Sequence, residues 1–287
     1  LLNPLRQGSA DSAGSENFYL RFGMQKRILT GAVALIVFIP VLYFSGTYIF
    51  PAVIGLLSGI AVYEFARCIG IKKMMLIVSP VILTSAILPV LARYAREWLV
   101  IAGLSVFIYL LFILVFGYGR ININSATALF FGFVYVAVAF MLLVMVRDRA
   151  PERYLLIFIT AWGTDTFAYF GGYLFGKKKL CPELSPKKTV EGAICGVAGT
   201  VICFAVYLIV TVNKGGDFPI FKYSLLAILA SIVSQLGDLS ASAIKRHYGI
   251  KDFGDIFPGH GGVLDRFDSI LPLSIGAYLL LSIIKVL

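Results

Sequence analysis

Apolar runs long enough to cross a bilayer recur along the whole of this 287-residue chain, and no other feature constrains its fold as strongly. A hydrocarbon core of about 30 Å needs about 20 apolar residues in a helix. Segments near that length fall at approximately 28–45, 47–66, 74–92, 98–117, 125–146, 154–175, 191–213, 220–244 and 264–286. They are too long and too uniformly apolar for the alternating strands of an outer-membrane barrel. A hydrophobic content of 59% also excludes an ordinary soluble domain. The expectation is an all-α fold: a polytopic integral membrane protein of about nine transmembrane helices, the first two joined as a tight hairpin.

Residues 1–23 are polar and rich in Ser, Gly and Asn. The piece ENFYLRFG resembles a protease-site scar, so this stretch reads as a disordered or appended leader, with Met24 as a native start. The rest divides into about five N-terminal helices over 24–150 and about four C-terminal, catalytic helices over 151–287. The formal charge of +10 is spread over short loops, which argues against nucleic acid and for membrane topology and anionic ligands. Lys and Arg concentrate near 26–27, 67–73, 120, 176–190 and 245–266, so these face the cytoplasm by the positive-inside rule. The loop with Arg147, Arg149 and Arg153 runs against that bias. Two crossings separate loops 176–190 and 245–263, so both open on one face and are able to build one site. Cys68, Cys181, Cys195 and Cys203 show no metal spacing and read as buried small residues.

Charge gathers in Gly237 to Ser269, GDLSASAIKRHYGIKDFGDIFPGHGGVLDRFDS. Asp238 and Asp268 fall inside or at the edge of apolar segments, where a carboxylate costs about 2.5–3.5 kcal/mol or more unless it meets water, a cation or a partner. Ser231, Gln235, Asp238, Ser242 and Lys245 step by four and three, forming one polar stripe that lipid would leave unsatisfied. Asp265 and Asp268 lie three apart at the start of the last segment. Such carboxylates suit a hard divalent cation such as Mg²⁺, and no Cys/His set suggests zinc. Gly259, Gly261 and Gly262 permit close backbone approach to a ligand, and His260 between them reads either as structural or as catalytic.

Upstream, Trp162, Asp165, Tyr169, Gly172 and Gly176 share a helical face on which small residues allow close approach, and Asp165 marks a candidate site. In SPKKTVEG, Pro186 predicts a turn, Ser185 and Thr189 are cap candidates, and Glu191 falls in the first turn of the next helix. Clustered lysines beside a helix start suit phosphate oxygens, or equally a headgroup-level anchor. Walker A and GxGxxG sequences are both missing.

The run Ser242–Ala–Ile–Lys245–Arg246, Lys251–Asp252, Pro258–Gly–His260–Gly–Gly and Asp265–Arg266–Phe–Asp268 resembles the signature of the phosphatidate cytidylyltransferase (CDP-diacylglycerol synthase) family. TDTFAYFGGYLFGK and SPKKTVEG are similar to it as well, and the resemblance covers roughly residues 24–287. It implies an inner-membrane enzyme, usually a homodimer, that joins CTP to phosphatidic acid drawn from the membrane lipids. The products would be CDP-diacylglycerol and pyrophosphate, and the reaction would depend on Mg²⁺, sometimes with a monovalent cation such as K⁺. Carried over, Asp238 and Asp265 would be metal-centre carboxylates. Lys245, Arg246, Lys251 and Arg266 would hold phosphates. Catalytic residues are thus expected at Asp238, Asp265, Asp268, Lys251 and Arg266. Substrate contacts are expected from Asp165, Ser185, Lys187, Lys188, Thr189, Glu191, Ser242, Lys245, Arg246 and His260.

A phosphatidate oxygen is already anionic near neutral pH, so the problem is charge: two polyanions must meet, and positioning with electrostatic stabilisation solves it. Asp265→Asn is expected to abolish transfer in a protein that still folds. Two other readings compete. A CTP-dependent lipid-alcohol kinase would release CDP instead of pyrophosphate. A transporter would need inverted repeats, of which GTDTFA and GDLSAS are only a faint echo.

Overall fold

The structure, a computed structural model, describes residues 36–71, 75–118, 121–211, 220–257, 259 and 261–283. Helices α1 (Ile49–Cys68), α2 (Met75–Tyr94) and α3 (Leu99–Phe116) are followed by α4 (Ile123–Arg149), which is π-helical over Phe133–Val138. Then come α5 (Leu155–Phe175), a two-stranded antiparallel hairpin of β1 (Lys179–Cys181) and β2 (Ser185–Thr189), α6 (Val190–Thr211) and α7 (Ile220–His247). The short α8 (Leu264–Phe267) and α9 (Ile270–Ile283) complete the described chain.

The architecture is all-α and polytopic. Among the described residues, six helices are long and apolar enough to cross a membrane: Ile49–Cys68, Met75–Tyr94, Arg96–Phe116, Ile123–Arg149, Val190–Thr211 and Phe221–His247. α5 is as long but carries Asp165, and α9 is shorter. Eight of the nine expected segments thus have counterparts among these helices; of 28–45, residues 36–45 are described, and 36–43 are helical. The small hairpin was not expected. Pro186, read as a turn former, sits inside β2, and the turn falls at 182–184 instead.

Bilayer logic explains the packing. Large side chains such as Phe116, Val210, Phe221 and Leu76 point outward, as lipid-facing positions do. Glycines let α5 and α6 touch: a Cβ on Gly196 would stand 2.9 Å from the carbonyl oxygen of Thr164, and one on Gly171 would strike Cys195. On the face expected for close approach, only Gly172 and Gly176 meet a neighbour, Thr189, while Trp162 and Tyr169 are exposed. Polar ties reinforce this three-helix contact. The hydroxyl of Thr164 bonds those of Thr200 (2.8 Å) and Ser231 (2.9 Å), and Gln235 donates to the carbonyl of Ala193 (3.2 Å).

Candidate active site

The polar stripe of α7 faces inward as its spacing predicts. Ser231, Ser242 and Lys245 are buried and Gln235 and Asp238 half-buried, while Ile232 and Leu236 between them are exposed. α7 meets the α8–α9 corner at Gly237, where a Cβ would lie 2.8 Å from the carbonyl oxygen of Asp268. That close approach brings Asp238 and Asp268 into one neighbourhood. Asp165 of α5 completes an acidic basin: the charges of Asp165, Asp238 and Asp268 repel one another. Lys188 and Arg266 offset Asp165, and Lys245 offsets Asp268.

The hairpin supplies cations from above. Lys188 of β2 forms an ion pair with Asp238, so loop 176–190 and the polar stripe do share a site. Arg246 reaches the same hairpin through the carbonyl of Leu184 (3.4 Å) and also bonds the carbonyl of Ile250 (3.2 Å). Thr189 caps α6 by accepting from Gly192 N–H (3.1 Å). Ser185 does not cap; it pairs with Cys181 in the hairpin. Glu191 folds back to accept from the backbone of Lys177 (3.0 Å) and Lys178 (3.2 Å), which fixes the approach of the lysine run. Lys187, Lys251 and Arg266 are exposed, and the charge of Arg266 reaches Asp165. His260 lies outside the described residues.

Asp265 has a different environment. Its buried carboxylate takes Lys245 Nζ on Oδ1 (2.8 Å) and the N–H groups of Phe253 (2.8 Å) and Gly262 (2.9 Å) on Oδ2. Lys245 also lies over the Phe253 ring, 5.3 Å from its centroid. One acid therefore fixes both ends of the loop between α7 and α8. Two of the glycines expected to make room for a ligand, Gly261 and Gly262, make room for carboxylates. Gly261 has φ +82°, and a Cβ there would stand 2.7 Å from Asp265 Oδ2; one on Gly262 would strike Glu64.

These features suit a hard cation. Mg²⁺ is commonly held by one or two carboxylates plus substrate phosphates, not by an all-protein cage. Among the described residues no group of three or more His, Cys, Asp or Glu forms such a cage. A carboxylate offers about four lone-pair sites, and three of those on Asp265 are in use, which leaves one on Oδ1; Asp238 is held by Lys188. The donor chemistry of the basin fits such an ion.

Comparison with known proteins decides the family. The chain matches the model of the Cytidylyltransferase family over residues 25–284. It is 34% identical over 273 residues to the phosphatidate cytidylyltransferase of Bacillus subtilis (strain 168), covering 91% of this chain and 98% of that one. It is 36% identical over 259 residues to the enzyme of that name from Staphylococcus haemolyticus, and 38% over 261 residues to that from Staphylococcus saprophyticus, each covering 87% of this chain and 97% of the relative. The chain belongs to the Cytidylyltransferase family.

Two residues of this cytidylyltransferase-family site escaped the reading of the sequence. Glu64 of α1 is buried and accepts from the N–H groups of Val263 (3.0 Å) and Leu264 (2.9 Å), so the N-terminal half grips the signature loop directly. Its signal was available: a lone acid in the apolar run IAVYEFARC is a site candidate by default. Tyr135 lies in the π-helical turn of α4, a feature frequent at functional sites. Its hydroxyl is buried without a hydrogen-bond partner and feels the charges of Asp268 and Asp238. An isolated tyrosine among apolar residues gives no comparable signal.

Proposed function

We propose that this chain transfers CMP from CTP to phosphatidic acid, giving CDP-diacylglycerol and pyrophosphate, on the cytoplasmic side of the inner membrane. One observation carries the reading: a basic hairpin lies on a group of carboxylates, joined through Lys188 and Asp238. Such a juxtaposition of cations and acids suits two phosphate-bearing substrates that must be brought together despite their charge. The basic loops 176–190 and 245–263 support the orientation.

In this reading a phosphatidate oxygen attacks the α-phosphorus of CTP, a P–O bond forms, and the bond to the β-phosphate breaks to release pyrophosphate. The nucleophile is already ionised, so no side chain need remove a proton. Lys188, Lys187, Arg246, Lys251 and Arg266 neutralise the two phosphate groups and hold them in line. Lys245 is not a free cation; with Asp265 it fixes the loop that carries Lys251 and Arg266. Asp238, with Asp165 and Asp268 beside it, and the remaining lone pair of Asp265 would hold Mg²⁺. Bound there, the ion would offset charge on the α-phosphate and the departing pyrophosphate. Tyr135 offers its unpartnered hydroxyl as a donor to an oxygen entering the basin.

Labelled CTP, phosphatidic acid and Mg²⁺, added to purified protein, should yield a lipid-linked cytidine product and one pyrophosphate per turnover. Release of CDP would point to a lipid-alcohol kinase, and no release without a gradient would point to a transporter.

A further inference from the structure

A cavity of about 250 Å³ lies among α4, α5, α6, α7 and α9, lined almost wholly by apolar side chains. Its position relative to the acids is regular. On α5 and the turn before it the lining runs from Thr160 to Arg153, five to twelve residues from Asp165. On α7 it runs from Val233 to Leu226, five to twelve residues from Asp238. On α9 it runs from Leu273 to Leu280, five to twelve residues from Asp268. The same three helices therefore carry the acidic basin and, beneath it, an apolar chamber. At 1.5 Å per residue the chamber occupies depths of about 7.5–18 Å from the acids.

Two of the acids stand well inside their helices. Asp238 stands nine residues before the end of α7 and Asp165 ten before the end of α5, about 14–15 Å along each helix. A lipid phosphate drawn to that depth pushes its hydrocarbon chains past their usual level, and they need somewhere to go. A membrane lipid chain spans about half of the ~30 Å hydrocarbon core, so its reach of about 15 Å matches the chamber. Apolar cavities are poor hosts for water and good ones for apolar ligands. We propose that this chamber receives an acyl chain of the phospholipid substrate and thereby selects long-chain over short-chain phosphatidate. The inference rests on the reading that the lipid phosphate binds at the acids.

Gly276 gives direct access to the test, because a Cβ placed there meets nothing within 4 Å. Transfer of CMP to dioctanoyl and to palmitoyl-oleoyl phosphatidate would be compared for the whole chain in detergent micelles. An eight-carbon chain stops at the chamber's mouth. Gly276→Phe should lower kcat/KM for the long-chain lipid at least about tenfold, the scale on which apolar pockets discriminate chain length, and leave the short-chain lipid unaffected. Equal effects on both lipids, or none on either, would overturn the proposal. A second measurement needs no variant. Phosphatidate with a photoreactive group at mid-chain should label residues 226–233 and 273–280 in the unaltered protein. Absence of that label, or equal labelling by a phosphatidylcholine probe, would overturn it too. If the unaltered protein transfers CMP to neither lipid, the activity reading fails, and the labelling alone judges the chamber.

Discussion

Two groups of charge lie along α5, one before its start and one around its middle, and they are built on opposite principles. Before its start, Asp148 is surrounded by arginines: Arg93 donates to both its oxygens (3.1 and 2.5 Å), Arg147 reaches it at 3.5 Å and Arg96 at 3.7 Å. Arg93 also donates to the carbonyls of Ser45 (3.0 Å) and Thr47 (2.7 Å), and Arg149 ties α4 to Ser282 and Tyr278 of α9. That group has excess cation, held by carbonyls, hydroxyls and one acid, with the buried Nε of Arg147 left without a partner among the described residues. Around the middle of α5, Asp165, Asp238 and Asp268 repel one another, and Lys188, Arg266 and Lys245 offset them only in part. A closed cluster stabilises a fold. A cluster with unbalanced like charge is costly to hold together and leaves work for a cation or a substrate to do. The contrast also explains why the loop with Arg147, Arg149 and Arg153 runs against the positive-inside bias: Arg147 and Arg149 serve helix packing.

The comparison is open to direct attack. Asp265 belongs to both categories, so Asp265→Asn should have the largest effect. Turnover should vanish, and stability should fall by about 3–5 kcal/mol because Lys245 is left buried without its counter-charge. Near-normal pyrophosphate release would refute the metal assignment, and an unchanged melting temperature in detergent would refute the clamp. Asp238→Asn removes one of three mutually repelling acids. Turnover should fall about 10²–10³-fold while the melting temperature holds or rises; a marked loss of stability would mean that Asp238 is structural. Asp148→Asn should do the reverse, losing about 1.5–3 kcal/mol of stability, as for hydrogen bonds to charged groups, with turnover per folded molecule unchanged. Reduced turnover in the folded fraction would erase the distinction between the two groups. The smallest effect belongs to the α6 cap: Thr189→Ala should cost about 1 kcal/mol, read as faster amide exchange at Gly192 with little change elsewhere.

Much of this was legible residue by residue. The stripe through Asp238 was readable because helical spacing alone sets which side chains share a face. Lys188 could be placed near that stripe from topology, since an even number of crossings returns the chain to one side. The roles of Gly261 and Gly262 were not legible, because nothing in PGHGG tells whether the room it leaves is filled by a ligand or by an acid from a distant helix. Glu64 lies about 200 positions from the loop it holds, beyond the reach of any periodicity.

What the sequence determined by itself was the class of solvent. Apolar runs of bilayer length compel helices, because backbone N–H and C=O groups in lipid must be satisfied within the segment, and acids within those runs mark where function is placed. Only the tertiary structure decided how the acids divide their duties, with Asp265 pinned by Lys245 and two N–H groups and Asp165, Asp238 and Asp268 left in mutual repulsion. A carboxylate's role depends on what stands within hydrogen-bond reach of its two oxygens, and that is fixed by packing between helices far apart in the chain.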